Sequence, residues 1–181
     1  QWGKKSLPGV KAAEYRLTSK GINQEQVYSF CMCPGGIIVP AAATADTNIV
    51  NGMSDYMRDN EFANAACVAT VNIGTILNRE VSAMETLDWM ENLENSFFNF
   101  SKGYKAPFCS IKDFIAKKIT KSSMNTSYPL GIIETPLWEL LPKSVEASMR
   151  AGLKDFIRKM KGFETGNIMG LESKSSAPIQ V

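Results

Sequence analysis

The hydrophobic period of this chain changes once, near residue 80, and that change divides the elements it can form. Before it, short runs rich in Val, Ile, Tyr and Thr are broken by Gly, Pro and Asn, the pattern of strands closed by turns. The spacing predicts strands over residues 11–17, 26–33, 36–39, 48–51 and 65–71. Between the second and third stands Pro34-Gly35-Gly36, where Pro presets φ for one central turn position and Gly supplies the positive φ a type II turn needs at the next. A tight hairpin is expected there.

After the change, Met84, Leu87, Met90, Leu93 and Phe97 recur every three or four residues, and Ser82 with Glu85 makes an S-x-x-E capping box, so a helix is expected over 83–98. Phe108, Ile111, Phe114, Ile115 and Ile119 predict a second helix ending near Thr120, followed by a polar loop over 121–127. Thr135-Pro136 reads as an N-cap followed by Pro at the first helical position, opening a short helix that Pro142 stops. Val145, Met149, Leu153, Phe156 and Met160 predict a longer helix from about Ser144, with Arg158, Lys159 and Lys161 near its end and Gly162 just past it.

Strand-like residues return at 168–171, and the chain stops on strand-like residues 178–181. These elements add up to an α+β fold: a β-rich part over 1–75 with a hairpin, a helical part over 76–165 and a returning strand over 166–181. A length of 181 residues fits one domain. The absence of an initiator Met and the mid-strand stop suggest a piece cut from a longer polypeptide.

Composition narrows function mainly by what is missing. The chain has no histidine, which removes Ser-His-Asp triads, Cys-His dyads and His-ligated zinc. Cys31, Cys33, Cys67 and Cys109 form no paired C-x-x-C knuckles, so no metal site is expected. Free thiols without a secretory signal suit the cytoplasm, and no run of some 18 apolar residues offers a membrane span. Twenty Lys+Arg against 18 Asp+Glu give a net charge of +2, far from the basic excess of a nucleic-acid binder. Neither a G-x-G-x-x-G nor a G-x-x-x-x-G-K-[ST] motif is present, so no standard phosphate cradle is expected.

Three clusters could carry chemistry. Cys31 and Cys33 lie two apart on an expected strand and so on one face, beside the Gly35-Gly36 turn; they read either as redox or nucleophilic thiols or as small buried hydrophobes flanking a hairpin. A disulfide between them would need strained geometry on an extended strand. Asn51, Gly52, Ser54, Arg58, Asn60 and Asn64 supply amides, a hydroxyl and a guanidinium suited to a carboxylate or a polar ring edge, or else serve as turn and cap residues. Lys102, Lys105, Lys112, Lys117, Lys118 and Lys121 make either an anion-binding face for a noncatalytic interaction domain or a solvated surface.

Taken in order, these strings resemble one family. Residues 27–36, Val-Tyr-Ser-Phe-Cys-Met-Cys-Pro-Gly-Gly, the Asn51-Gly52-Met53-Ser54 loop with Arg58, and Ala63-Asn64-Ala65 carry the resemblance, with Tyr104-Lys105-Ala106-Pro107, Asp113-Phe114, Ser127-Tyr128-Pro129, Leu140-Leu141-Pro142 and Gly170-Leu171-Glu172 ahead of Ser175-Ser176. The chain is similar to the NAD(FAD)-utilizing, FAD-dependent dehydrogenases over nearly its whole length. The likeness implies the substrate-side domain, inserted into an FAD-binding domain that lies outside this chain. It implies FAD bound mainly elsewhere, NAD(P)H as a candidate electron donor, a small-molecule substrate, and the FAD-binding domain of the same polypeptide as partner. By the same likeness Cys31 and Cys33 are the candidate catalytic residues, and Gly35, Gly36, Ser175 and Ser176 contact the cofactor. Asn51, Ser54, Arg58, Asn64 and Tyr104 would hold substrate. The chain departs from the family at Cys109-Ser110, where Gln-Arg is usual, and at Ser173-Lys174, where Thr-Arg precedes the Ser pair. Lys cannot reproduce a bidentate guanidinium, so any contact made there is weakened or moved.

Overall fold

A single 14-residue strand organises the amino-terminal half. The structure, a computed structural model, describes residues 1–22, 25–121 and 124–173. Strands β1 (Leu17–Ser19), β2 (Val27–Pro40), β3 (Val50–Met53) and β4 (Phe62–Ala69) form one sheet with β2 at its centre. All three neighbours are antiparallel to β2: β1 on Val27–Ser29, β4 from Val27 to Gly36, and β3 on Ile37–Pro40.

The expected hairpin at Pro34-Gly35-Gly36 is not there. The chain runs on through these residues, and the β2–β4 register slips twice, between Phe30 and Cys33 and between Cys33 and Gly36. The reversal comes later, after Pro40, with Val50 returning opposite it. Gly35 does take a positive φ of 53°, but it serves a close crossing of chain: a Cβ there would stand 2.0 Å from the Arg58 carbonyl oxygen. The strand expected over 11–17 is also displaced. Ala12–Glu14 forms a 3₁₀ turn and pairing begins at Leu17, in keeping with the poor strand propensity of Lys, Ala and Glu.

Helix α1 (Ile73–Leu77), which the spacing did not predict, opens on Asn72, whose side chain accepts from the Thr75 N–H. Helix α2 (Ala83–Ser101) has the expected capping box, with Ser82 and Glu85 each bonding the other's backbone N–H. The helix expected over 108–120 is two elements. Strand β5 (Ala106–Ser110) comes first, and then a short α3 (Ile111–Ala116) whose cap is the Ser110 hydroxyl, accepting from Asp113 N–H at 3.0 Å. Ala106 to Cys109 are all buried, so β5 shows no polar face and its apolar run merges with that of α3.

Strand β6 (Ile132–Glu134) lies parallel to β5 and β7 (Asn167–Met169) antiparallel, making a three-stranded second sheet. The short helix α4 (Leu137–Leu140) forms, with Pro136 rather than Thr135 at its cap; the Thr135 hydroxyl donates to the Ile133 carbonyl instead. Helix α5 (Lys143–Lys159) matches its expected span, and Gly162 beyond it has φ of 91°. The returning strand is β7; residues 174–181 lie outside the described residues.

The main core gathers α5, α3 and α4, the first sheet and the end of α2. A Cβ at Gly152 would stand 2.6 Å from the Val27 side chain, so helix and sheet meet at the glycine. Phe156, Phe163 and Trp2 pack edge to face beside it. A smaller cluster of Ile38, Val50, Ala106 and Tyr128 joins the two sheets. Among the described residues no helix is long and apolar enough to cross a membrane, and no group of three Cys, Asp or Glu could hold a metal ion.

Candidate functional site

The register slips in β2 gather most of the singled-out residues in one place. Cys33 pairs with Asn64, Gly36 with Phe62, Ile37 with Met53 and Ile38 with Gly52. The loop after β3 then crosses back over Gly35, bringing Ser54 and Arg58 to Cys33. The cause is local: the Asp55 carboxylate accepts from Arg58 N–H at 2.8 Å and from the Asn60 amide at 3.3 Å, folding residues 55–60 on themselves. Arg58 sits at φ of 52° as a result.

Cys31 is exposed, Met32 buried and Cys33 half-buried. Cys31 has φ of 52°, a left-handed conformation inside a strand, and marks the first slip. The strict alternation that would put both thiols on one face is interrupted there. The two residues still touch, the Cys33 thiol donating to the Cys31 carbonyl at 3.6 Å.

Burial pushes the Cys33 thiol above its ordinary range, while a hydrogen bond with Ser54 and the nearby Arg58 guanidinium pull it part of the way back. At neutral pH it is therefore a thiol with its proton, a hydrogen-bond donor rather than a ready nucleophile. The Arg58 guanidinium has no carboxylate partner among the described ion pairs.

Asn64 is buried and works within the fold. Its amide donates to the Ile37 carbonyl at 3.2 Å, and a Cβ at Gly52 would stand 1.9 Å from its Oδ1. Gly36 is closed in the same way by Met53 O, the Asn64 amide and Cys33 Cβ, all within 2.9 Å of where a Cβ would be. Gly35 N–H bonds the Lys5 carbonyl at 2.5 Å. Asn51 is exposed on β3 opposite Val39. Tyr104 stands apart from this cluster, in the α2–β5 connection, with its ring against Phe98 at 5.1 Å. Ser175 and Ser176 lie outside the described residues. Of the lysines at 102–121, Lys102 and Lys117 hold left-handed C-cap positions, and Lys117 also pairs with Glu146 at 3.1 Å.

Sequence reasoning missed two residues here. Tyr56 is 98% exposed and Met57 69%, and with Ser54, Asp55 and Arg58 they line an open hollow of about 660 Å³. Two exposed apolar side chains therefore stand beside the Arg58 guanidinium, the Ser54 hydroxyl and the Asp55 carboxylate. The Asp55-x-x-Arg58 spacing was the available signal, since an Asx turn lifts the residues between.

The chain matches the family described as FAD-dependent protein, C-terminal domain-like, over residues 1–175. It belongs to that family. A protein of Clostridium beijerinckii, described only as uncharacterized, is 34% identical to it over 180 residues, which are 96% of this chain and 33% of that protein. The chain thus spans about a third of that relative's length. FAD dependence is a property of the parent proteins, and the residues here fit one part of that cofactor better than another. A diphosphate asks for free backbone N–H groups at a glycine turn or helix start. Gly35, Gly36 and Gly52 are instead closed by this chain's own atoms, and the start of α2 is filled by Glu85. The Ser54–Arg58 loop leaves an aromatic ring and a thioether exposed, and neither is closed off by the chain's own atoms.

Proposed function

We propose that this chain is the substrate-side domain of an FAD-dependent oxidoreductase of the NAD(FAD)-utilizing dehydrogenase type. Its Cys31–Arg58 surface covers the isoalloxazine face of a cofactor held mainly by a separate FAD-binding region of the same polypeptide. The observation that carries this reading is the uncovered Tyr56–Met57 loop beside Cys33 and Arg58, in a chain whose family is FAD-dependent over residues 1–175.

Bound FAD supplies two-electron redox chemistry, with NAD(P)H as the electron donor. Within that site the Arg58 guanidinium, which enters none of the described ion pairs, orients an anionic group of a small substrate, and Ser54 and Asn51 add polar contacts. Tyr56 and Met57 exclude water from the ring. Cys31, which is exposed, and Cys33, whose thiol keeps its proton, would be the thiols nearest the bound ring.

A flavin titration of the 181-residue chain beside the full-length protein tests the reading, following FAD absorbance through gel filtration. Retention by the full-length protein alone is expected; retention by the fragment alone would overturn the division of labour. Cys31→Ser and Cys33→Ser in the full-length protein test the thiols, and unchanged flavin reduction rates would remove them from the mechanism. Arg58→Ala is expected to raise KM for an anionic substrate about tenfold or more, the worth of one charged hydrogen bond.

A further inference from the structure

Helix α2 carries apolar side chains that no other described residue of the chain buries. Its 19 residues extend about 28 Å at 1.5 Å per residue. Yet its buried residues are Glu94, Phe97 and Ser101, all in the carboxy-terminal half. From Ala83 to Leu93, about 16 Å of helix, none is buried. Within that stretch Met84 is 66% exposed and Leu87 51%. At about 100° per residue, Leu87 points roughly 80° and Met84 roughly 140° away from Phe97 around the helix axis. The core that Phe97 enters cannot reach them.

This half of the helix is nevertheless firmly built. The Ser82–Glu85 capping box closes its first turn, and Arg79 pairs with Glu85 at 2.7 Å, tying the α1–α2 connection to it. Leu77 at the end of α1 is exposed as well. A capped, preformed helix with bare apolar side chains is a docking element, and a binding partner loses little ordering entropy on meeting it.

We infer that the amino-terminal half of α2, through Met84 and Leu87, docks against the part of the same polypeptide that lies outside this chain. That choice of occupant rests on the proposed function and on the relative's length: this chain matches only 33% of its Clostridium beijerinckii relative, so two thirds of such a protein is available to cover the arm. The exposed Glu80, Asp88 and Glu91 around the arm call for a basic rim on that surface. This contact is separate from the Cys31–Arg58 surface and does not depend on where the flavin sits.

The test is photo-crosslinking in the full-length protein with Leu87→p-benzoylphenylalanine, a change at a position half-exposed in this chain. Peptide mapping should find the 87 side chain joined, within one polypeptide, to a segment outside residues 1–181. Crosslinked dimers would assign the arm to a second copy and overturn the inference; crosslinks confined to residues 1–181, or none, would overturn it too. As a second measurement, Met84→Asp with Leu87→Asp should speed amide exchange over 83–93 in the full-length protein about tenfold. Unchanged exchange would count against docking. Flavin retention measured on the same samples separates failure of this contact from failure of the cofactor assignment.

Discussion

Helices α2 and α5 have nearly the same length and are used in opposite ways. Over 17 residues α5 buries seven, spread from Val145 to Phe156, and Gly152 lets it come close against Val27. Over 19 residues α2 buries three, all in its carboxy-terminal half. Burial of an amphipathic stripe normally holds a helix in place, and propensity alone is marginal at this length. In α2 that role falls on the capping box, the Arg79–Glu85 pair and one anchor, Phe97, which is fully buried. One helix is part of the domain's interior; the other is mounted on it.

The largest effects should fall on the interior helix and on the anchor. Phe156→Ala and Phe97→Ala each remove a fully buried ring, and a loss of about 3–5 kcal/mol is expected for either in denaturant titrations of the 181-residue chain. A small loss at Phe97 would mean that α2 is held by something other than its anchor. Gly152→Ala comes next. Its methyl would enter the 2.6 Å gap before Val27, forcing α5 off the sheet, with an expected loss of about 1–3 kcal/mol. Trimming the neighbour as well, in Gly152→Ala with Val27→Ala, should recover part of it, because the two side chains share one space.

Both helices were legible in the sequence because each announces itself locally. The apolar positions of α5 recur at intervals of four, four, three and four, and Ser82 and Glu85 bracket the first turn of α2. What the periodicity could not convey is whether the stripe has a partner: Met84 and Leu87 belong to the same helical repeat as Phe97, and both are exposed. The α+β class was legible too, while the hairpin at Pro34-Gly35-Gly36 was not. A positive-φ glycine serves a turn or a close crossing of chain equally well, and here the crossing segment is residues 58–59, brought in by long-range folding. Strand β5 was hidden by its burial on both faces, although the Ser110-x-x-Asp113 cap marked where α3 begins. At the candidate site, the Cys31–Gly36 string and the Asn51–Asn64 cluster were read as separate clusters; the structure brings them side by side and shows that Asn64, Gly36 and Gly52 serve packing among themselves.

The capping box gives a smaller effect with a definite pH dependence. Glu85 is held at about 2, against an ordinary 4.5, first by the Ser82 backbone N–H, then by the Arg79 guanidinium and the Ser82 hydroxyl. The carboxylate is the form favoured in the folded chain, so its contribution is present above pH 4.5 and lost as the pH falls toward 2. The stability difference between wild type and Glu85→Gln should therefore shrink across that window. Ser82→Ala should cost about 1 kcal/mol at neutral pH, read most clearly as faster fraying of residues 83–86. In α5, which opens on Pro142 with no side-chain cap, the carboxylate held low is Asp155 in the last turns, chiefly by its hydrogen bond with Lys159, so any acid response there belongs to the other end of the helix.

The smallest expected effect discriminates most sharply between the two helices. Leu87→Ala in the 181-residue chain removes a side chain that touches little, so the change should stay within about 0.5 kcal/mol, although the same substitution at Leu153 of α5 should cost about 2–5 kcal/mol. A near-zero result at Leu87 in this chain alone is what a mounted helix predicts. If the arm is covered in the full-length protein, the same substitution there should become destabilising, because its apolar area is then withdrawn from water by the neighbouring segment. An equal, negligible cost in both settings would leave α2 a solvated projection, and the contrast with α5 would then be one of burial alone.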